Sequence, residues 1–208
     1  MKYRSVFFDL DGTLMDTSEG IFAGGVYAME KVGLRIPENV KWNTFIGPPL
    51  GDCFRIAFGV RDDDAIEKLC IAFHDYYDRE GHLKARFYPG ILELIKELKT
   101  RGYTLGIASM KNEDLVQKMC VHFGVSQYFD QQLGIDLVGT MTKADLLKKG
   151  FKALGLQASE CVLVGDTDFD ARGAQGAGCD CIRVNWGFGY TKKDPGTISK
   201  PSDVLDLV

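Results

Sequence analysis

Short apolar segments alternate with segments of helical periodicity along most of this chain, and this alternation restricts the folds that it can adopt. Strands are predicted at residues 3–8, 103–108, 129–135, 161–164 and, as the last, 180–184; helices are predicted at 91–100, 113–123, 143–154 and from 171 to 176. Strands separated by helices run parallel, because a crossover connection returns the chain to the same end of the sheet. The pattern predicts an α/β fold with a doubly wound parallel sheet covered on both faces.

The stretch between residues 16 and 86 departs from this alternation, since it has helical periodicity and no convincing strand. One helix is predicted at 18–32 and another after Asp62, a residue type that often caps helices. Gly47-Pro48-Pro49 breaks the region between them, and Tyr88-Pro89-Gly90 marks the return to the alternating pattern. We therefore predict a core domain of residues 1–15 and 87–208, interrupted by a helical domain of residues 16–86.

Length and charge narrow the class of partner. A chain of 208 residues with 45% hydrophobic and 26% charged residues is typical of one globular domain, or of one domain with a modest insertion. A net charge of -4 gives no basic surface of the kind that binds nucleic acid. No apolar run has the length of a secretory or membrane segment. We expect a cytoplasmic protein that acts on small molecules, with neither nucleic acid nor membrane as a partner.

The first predicted strand ends in two acids, in the segment Phe7-Phe8-Asp9-Leu10-Asp11-Gly12. Open parallel sheets bind ligands at the carboxyl ends of their strands, and alternate residues of a strand point the same way. Asp9 and Asp11 are thus expected to face one crevice, with Gly12 permitting a tight turn. Such a pair can divide the roles of nucleophile and of general acid and base. The alternative is a solvated acidic turn.

A second apolar strand, 161–164, also runs into acids, namely Asp166, Asp168 and Asp170. Mg²⁺ prefers a few carboxylates together with water and phosphate oxygens, so Asp9 and Asp166 are suitable ligands. The same spacing resembles the start of an EF-hand loop, but Ala171 stands where that loop requires glycine. A calcium loop is therefore excluded, and a magnesium site is predicted.

Two further residues supply groups that bind phosphate. Ser109 follows the strand predicted at 103–108, and its hydroxyl and neighbouring N–H groups are suitable donors to phosphate oxygens. Lys143 begins an amphipathic segment and can balance the charge of carboxylates and phosphate. Taken singly, Ser109 is equally well explained as a helix cap, and Lys143 as a solvated residue at a helix end. The four segments together favour phosphate chemistry.

The order of these segments resembles that of the haloacid dehalogenase superfamily, within its phosphoglycolate-phosphatase-like branch with a helical cap. The resemblance rests on four motifs: Asp9-Leu10-Asp11-Gly12-Thr13, Ser109, Lys143, and Gly165-Asp166 through Asp170. It implies a Rossmann-like core as the catalytic domain, with residues 16–86 as the cap. It also implies Mg²⁺ as the cofactor and a small phosphate ester as the substrate.

The resemblance assigns a role to each motif residue. It makes Asp9 the nucleophile and Asp11 the general acid and base, which also gives its backbone carbonyl to Mg²⁺. It makes Asp9 and Asp166 direct metal ligands, and Asp170 a ligand or a partner through water. Ser109 and Lys143 hold the phosphoryl group. The implied substrate-binding set is Gly12, Thr13, Gly47, Arg55, Ser109, Met110 and Lys143.

Several functions agree with these motifs. The acid at position 11 favours phosphate esters, because dehalogenases and phosphonate hydrolases of the superfamily lack it. The cap segment Phe45-Ile46-Gly47-Pro48-Pro49-Leu50 resembles both phosphoglycolate phosphatases and 5′-nucleotidases. Arg55 is either a ligand for an anionic leaving group or a surface residue. A sugar phosphomutase stays open, and so does a receiver-like phosphoacceptor domain, although the helical insertion and Asp11 argue against the receiver. The sequence leaves the natural substrate and the oligomeric state open.

Overall fold

The computed structural model describes residues 2–47, 49–136 and 140–208. The strands are β1 Ser5–Phe8, β2 Met15–Asp16, β3 Arg86–Phe87, β4 Thr104–Asn112, β5 Gln131–Ile135, β6 Cys161–Gly165, β7 Asp180–Val184 and β8 Thr197–Ile198. The helices are α1 Ser18–Val32, α2 Leu50–Phe58, α3 Asp63–Arg79, α4 Ile91–Thr100, α5 Glu113–His122, α6 Lys143–Leu154 and α7 Asp168–Ala177. The chain divides into two compact units, Met1–Asp16 with Phe87–Val208, and Thr17–Arg86.

The first unit contains a six-stranded sheet in the order β5-β4-β1-β6-β7-β8, whose neighbouring strands are parallel. After β1 the chain adds β4 and β5 on one side, and β6, β7 and β8 follow on the other. The strand order thus reverses at β1, and such a switch point opens a crevice at the carboxyl ends of the central strands. The predicted α/β class and parallel sheet are confirmed.

The central strands are apolar because both of their faces are covered. Phe7 and Leu163 pack in one cluster with residues of α6 and α7. Phe8 points to the other face, where its ring meets that of Phe129 edge to face at 6.4 Å. This burial fixes the register of β1, since a slip of one residue would turn its next residue, Asp9, away from the crevice.

The second unit, Thr17–Arg86, contains α1, α2 and α3 around an aromatic core. The ring of Phe45 lies 5.1 Å from each of the rings of Phe54 and Phe58. As predicted, Asp62 caps α3, and its side chain accepts a hydrogen bond from Ala65 N at 3.0 Å. Pro48, part of the predicted break, lies outside the described residues.

The structure differs from the sequence prediction at several elements, of which β4, α7 and the strand after β7 are the main ones. β7 is not the last strand, because the two-residue β8 pairs beside it, and a strand this short has no detectable period. β4 continues past residue 108 to Asn112, where its pairing with β5 shifts register. α7 begins at Asp168 rather than at 171, since Thr167 and Asp170 form a capping box. Within the described chain, no helix combines the length and the apolar character needed to cross a membrane.

Candidate active site

Asp9 and Asp11 follow β1 on a tight loop whose shape depends on Gly12. Gly12 has a φ of +83°, which residues with side chains rarely adopt, and a Cβ atom there would lie 2.3 Å from Asp166 Oδ2. The amide of Asp9 donates a hydrogen bond to Val164 O at 3.0 Å. The ends of β1 and β6 are therefore joined where their acids project.

Lys143 is a buried cation within this group of acids. Its Nζ lies 2.6 Å from Asp9 Oδ1 and 2.9 Å from Asp170 Oδ1, and it donates to Ala108 O at 2.8 Å. Lys143 is 7% exposed, so water screens these interactions little. The first residue of α6 thus connects the end of β1 and the middle of β4 with α7.

Asp166 is fully buried and accepts hydrogen bonds on both carboxylate oxygens. Thr13 Oγ1 donates to Oδ1 at 3.2 Å, while the amides of Phe188 and Gly189 donate to Oδ2 at 2.7 and 3.3 Å. These donors offset part of the cost of burying a carboxylate. They also fix the orientation of the side chain.

Asp170 uses one oxygen for structure. Its Oδ2 accepts hydrogen bonds from Thr167 N at 3.1 Å and from Thr167 Oγ1 at 2.7 Å, which caps α7. Its Oδ1 faces Lys143 as an ion pair but is buried without an aligned hydrogen bond among the described residues. Asp170 therefore keeps one oxygen directed into the site.

The acids Asp9, Asp166 and Asp170 form a set of hard oxygen donors. Each offers a carboxylate oxygen, and these oxygens all lie within 4.8 Å of one another. In the described chain, the buried Asp11 Oδ1 and Asp170 Oδ1 lack hydrogen-bond partners. Oxygen donors of this kind suit Mg²⁺, which retains water and phosphate oxygens as its other ligands. The residues present therefore fit a bound Mg²⁺.

The electrostatics of the site follow from burial. Loss of hydration raises the pKa of Asp9 well above its usual range. The positive charge of Lys143 lowers this pKa but does not cancel the effect of burial, and the negative charges of Asp170 and Asp166 raise it further. Burial likewise raises the pKa of Asp166 to about 6. For Lys143, burial lowers the pKa, but the carboxylates of Asp170 and Asp9 outweigh it and raise the pKa overall. Asp9 and Asp166 therefore lose their protons less readily than exposed carboxyl groups do.

Ser109 and Lys111 lie on the part of β4 that extends beyond the prediction. Ser109 is buried, and its Oγ accepts a hydrogen bond from Lys111 N at 3.2 Å. Lys111 Nζ lies 3.2 Å from Asp11 Oδ2, and its side chain is 11% exposed. Lys111 was not among the residues predicted from the sequence, because the predicted strand ended at residue 108. Its position two residues after Ser109 was the available signal.

The remaining predicted substrate residues are dispersed. Met110 is exposed beside Ser109 on β4. Gly47 and Arg55 belong to the second unit, where Gly47 is exposed with a φ of +110°. Arg55 pairs with Asp63 at 2.8 Å and more distantly with Asp52 at 3.9 Å. The substrate role of these residues stays a prediction.

Known proteins with similar sequences and structures indicate the family to which this chain belongs. The model of the haloacid dehalogenase-like hydrolases matches residues 6–184. A 5′-nucleotidase of Pseudomonas aeruginosa is 35% identical over 193 residues, which are 91% of this chain and 86% of that protein. The solved structure of a proposed phosphoglycolate phosphatase from Lactobacillus delbrueckii superimposes with a TM-score of 0.86 at 26% identity, covering 100% of this chain and 98% of that chain.

A further relative has a different activity in its name. Tyrosine-protein kinase PtkA of Mycobacterium tuberculosis is 32% identical over 185 residues, which are 88% of this chain. The alignment covers 62% of PtkA, so this chain matches less than two thirds of that relative. The family match covers most of the chain, and the acids, Ser109 and Lys143 all lie in the matched range. The chain belongs to the haloacid dehalogenase-like hydrolases.

Proposed function

We propose that this enzyme is a Mg²⁺-dependent phosphatase that hydrolyses small phosphate monoesters through an aspartyl-phosphate intermediate. The observation that carries the proposal is the position of Asp9, a buried carboxylate at the end of β1. Lys143 forms an ion pair with one of its oxygens, and carboxylate oxygens of Asp166 and Asp170 lie within 4.8 Å. A buried carboxylate beside a fixed cation is oriented for attack and is poorly hydrated, and both conditions favour a nucleophile.

The bonds that form and break involve the substrate, two carboxylates and water. Asp9 attacks phosphorus while the bond from phosphorus to the leaving oxygen breaks, and Asp11 gives its proton to that oxygen. Asp11 then takes a proton from water as the water oxygen attacks phosphorus. The bond between phosphorus and the Asp9 oxygen breaks, which releases inorganic phosphate and restores Asp9.

Neighbouring residues prepare these steps. Lys143 orients Asp9 and donates to a phosphoryl oxygen, and the Ser109 hydroxyl binds another. Lys111, 3.2 Å from Asp11, holds the general acid in place. Asp9 and Asp166, with the backbone carbonyl of Asp11 and with Asp170, would hold Mg²⁺. When bound, Mg²⁺ supplies positive charge that reduces repulsion between the nucleophile and the phosphate.

The substrate class we favour is a small anionic ester of the phosphoglycolate type, with the segment 16–86 as the cap that selects it. This proposal rests on the likeness of the cap sequence and on the position of the insertion directly after the Asp11-Gly12-Thr13 loop. The 35% identity to a 5′-nucleotidase makes nucleoside monophosphates the second candidate. Sugar phosphates are the third, since Asp11 can return a proton to a sugar as well as activate water.

The deciding experiment compares kcat/KM for p-nitrophenyl phosphate, glycolate phosphate, nucleoside monophosphates and sugar phosphates with Mg²⁺. Repeated turnover that releases inorganic phosphate supports a phosphatase, and the highest kcat/KM identifies the substrate class. Acid quenching followed by peptide mass spectrometry should locate a phosphoryl group on Asp9. A single round of labelling without turnover would instead indicate a phosphoacceptor domain. Isomerised sugar phosphate without phosphate release would indicate a mutase.

A further inference from the structure

The loop of residues 186–190, between β7 and β8, contacts the Asp166 end of β6 mainly through its backbone. Phe188 N and Gly189 N donate to Asp166 Oδ2 at 2.7 and 3.3 Å, and Tyr190 N donates to Asp166 O at 2.8 Å. The indole of Trp186 donates through Nε1 to Thr13 O at 3.0 Å. Thr13 in turn donates through Oγ1 to Asp166 Oδ1. The loop therefore acts on both oxygens of Asp166, one directly and one through Thr13.

The loop needs glycine at positions 187 and 189 because its backbone passes close to other atoms of the protein. A positive φ is not the reason. Neither Gly187 nor Gly189 has a positive φ. A Cβ atom at Gly187 would lie 2.1 Å from Gly12 O and 2.3 Å from Asp166 Oδ2. One at Gly189 would lie 2.5 Å from Asp166 O. Because backbone atoms cannot turn aside as a flexible side chain does, an alanine at Gly187 must move the loop away from Asp166.

We infer that the loop Trp186–Tyr190 is a positioning element that fixes the carboxylate of Asp166 for binding Mg²⁺, an inference that rests on the proposed function. Groups that hydrogen bond to a metal ligand fix its orientation and tune its affinity. Here backbone N–H groups do this, so the contact depends on the path of the chain and not on the side chain at position 188. Glycine at position 187 lets that path come close enough.

Two properties of Asp166 make this positioning consequential. The residue is fully buried, so water cannot replace a hydrogen-bond donor that moves away. Its neighbour Asp170 is also an acid, and repulsion between the two carboxylates would turn an unrestrained side chain out of the site. Fixing both oxygens before the metal arrives lowers the conformational entropy that binding would otherwise cost.

The test measures metal affinity directly, with Mn²⁺ as the probe and no substrate. Free Mn²⁺ is followed by electron paramagnetic resonance as it is titrated into the wild-type protein and into Gly187→Ala. We expect at least about tenfold weaker binding for Gly187→Ala. Gly51→Ala is the matched control. Gly51 lies in α2 with an ordinary φ, and its added methyl group would meet only the side chain of Ile66, at 3.2 Å. The thermal unfolding temperature shows whether each variant folds.

Each outcome decides a separate point. A folded Gly187→Ala that binds Mn²⁺ as tightly as the wild type overturns the role of the loop, even if its unfolding temperature is lower. If Gly187→Ala does not fold, Trp186→Phe decides, because it keeps an aromatic ring and removes the indole donor to Thr13 O. We expect it to bind Mn²⁺ about threefold more weakly, as for loss of one ordinary hydrogen bond. Unchanged affinity overturns the inference. If the wild type itself binds no Mn²⁺, the proposed metal dependence fails as well.

Discussion

Lys143 Nζ lies 2.6 Å from Asp9 Oδ1, although the two are 134 positions apart in the sequence. The pair is buried, and Lys143 also faces Asp170 at 2.9 Å. One cation thus offsets part of the repulsion among three buried acids. Breaking a buried pair by removing one partner is costly, because the remaining charge keeps no compensation.

Lys143→Met should therefore lower the free energy of unfolding of the metal-free protein by about 3 kcal/mol. Added Mg²⁺ should restore part of this loss by neutralising the acids. Denaturant unfolding with and without Mg²⁺ measures both effects. Lys149→Met is the control, since Lys149 lies on the same helix in an exposed pair with Glu113 and should change stability by about 0.5 kcal/mol or less. Equal losses for the two variants would contradict the account.

Asp9→Asn should lose activity but, unlike Lys143→Met, should not lower the free energy of unfolding. Burial disfavours the Asp9 carboxylate, and Lys143 keeps Asp170 as a charged partner when Asp9 is replaced. A neutral amide should therefore leave the metal-free protein at least as stable as the wild type. Turnover should fall at least about a thousandfold, because an amide cannot form the acyl phosphate. Steady-state kinetics and thermal unfolding of the same preparation check both. Activity above a tenth of the wild-type value would remove covalent catalysis by Asp9.

Removal of divalent metal should abolish turnover, and Mg²⁺ should restore it, because a divalent cation would offset the repulsion among the clustered carboxylates of Asp9, Asp166 and Asp170. Asp166→Ala should raise the Mg²⁺ concentration needed for half-maximal rate or eliminate activity. Asp206→Ala, which changes an exposed acid at the far end of the chain, should leave the Mg²⁺ requirement unchanged. Full activity in excess chelator would exclude metal dependence.

Asp130 should make stability depend on pH in the acid range. Its carboxylate pairs with Lys99 at 2.8 Å and accepts a hydrogen bond from Leu105 N at 2.9 Å. Partial burial opposes the charge, but these contacts hold its pKa below the usual 3.8. A lowered folded-state pKa stabilises the protein above the unfolded-state value, and this contribution is lost as pH falls through the folded-state value.

Asp130→Asn should accordingly cost about 1 kcal/mol of unfolding free energy at pH 7, a modest value because the pair is partly exposed. The difference from the wild type should shrink toward zero at a pH below the folded-state pKa of Asp130, where the wild-type carboxyl group is also protonated. Urea titrations of both proteins at the two pH values give the comparison. If the two proteins differ in unfolding free energy by the same amount at both pH values, the loss of stability comes from the changed shape of the side chain and not from its charge.

Arg55→Ala tests the proposed selection by the cap. If Arg55 binds an anionic leaving group, kcat/KM for the preferred anionic ester should fall. The loss should correspond to about 2 kcal/mol of transition-state stabilisation, the range for a hydrogen bond to a charged group. The value for p-nitrophenyl phosphate should change much less. Arg35→Ala, which removes an exposed arginine of the same unit, is the control. Equal losses on both substrates would indicate a folding or phosphoryl role, and no change would make Arg55 a surface residue.

The sequence was informative where residue type and strand position carry the chemistry. Asp9 and Asp166 were predicted to meet because each follows an apolar parallel strand, and their carboxylate oxygens do lie within 4.8 Å. The contact of Lys143 with Asp9 had no local signal, because a solvated lysine at a helix end has the same local sequence. The N–H groups of Phe188 and Gly189 were missed since any residue but proline provides one. The start of α7 was placed late because its first turn is set by a polar cap rather than by apolar spacing.

The central position of β1 also affects folding during translation. Ser5 pairs with Thr104 on one side and with Cys161 on the other, so β1 is synthesised long before either neighbour. During translation, this short apolar strand emerges with both edges open, and a chain that stops before residue 161 would leave one edge uncovered. The acids from β1 and β6 come together only after β6 has left the ribosome. Early release of the chain would thus produce an aggregation-prone fragment that lacks Asp166 and Asp170.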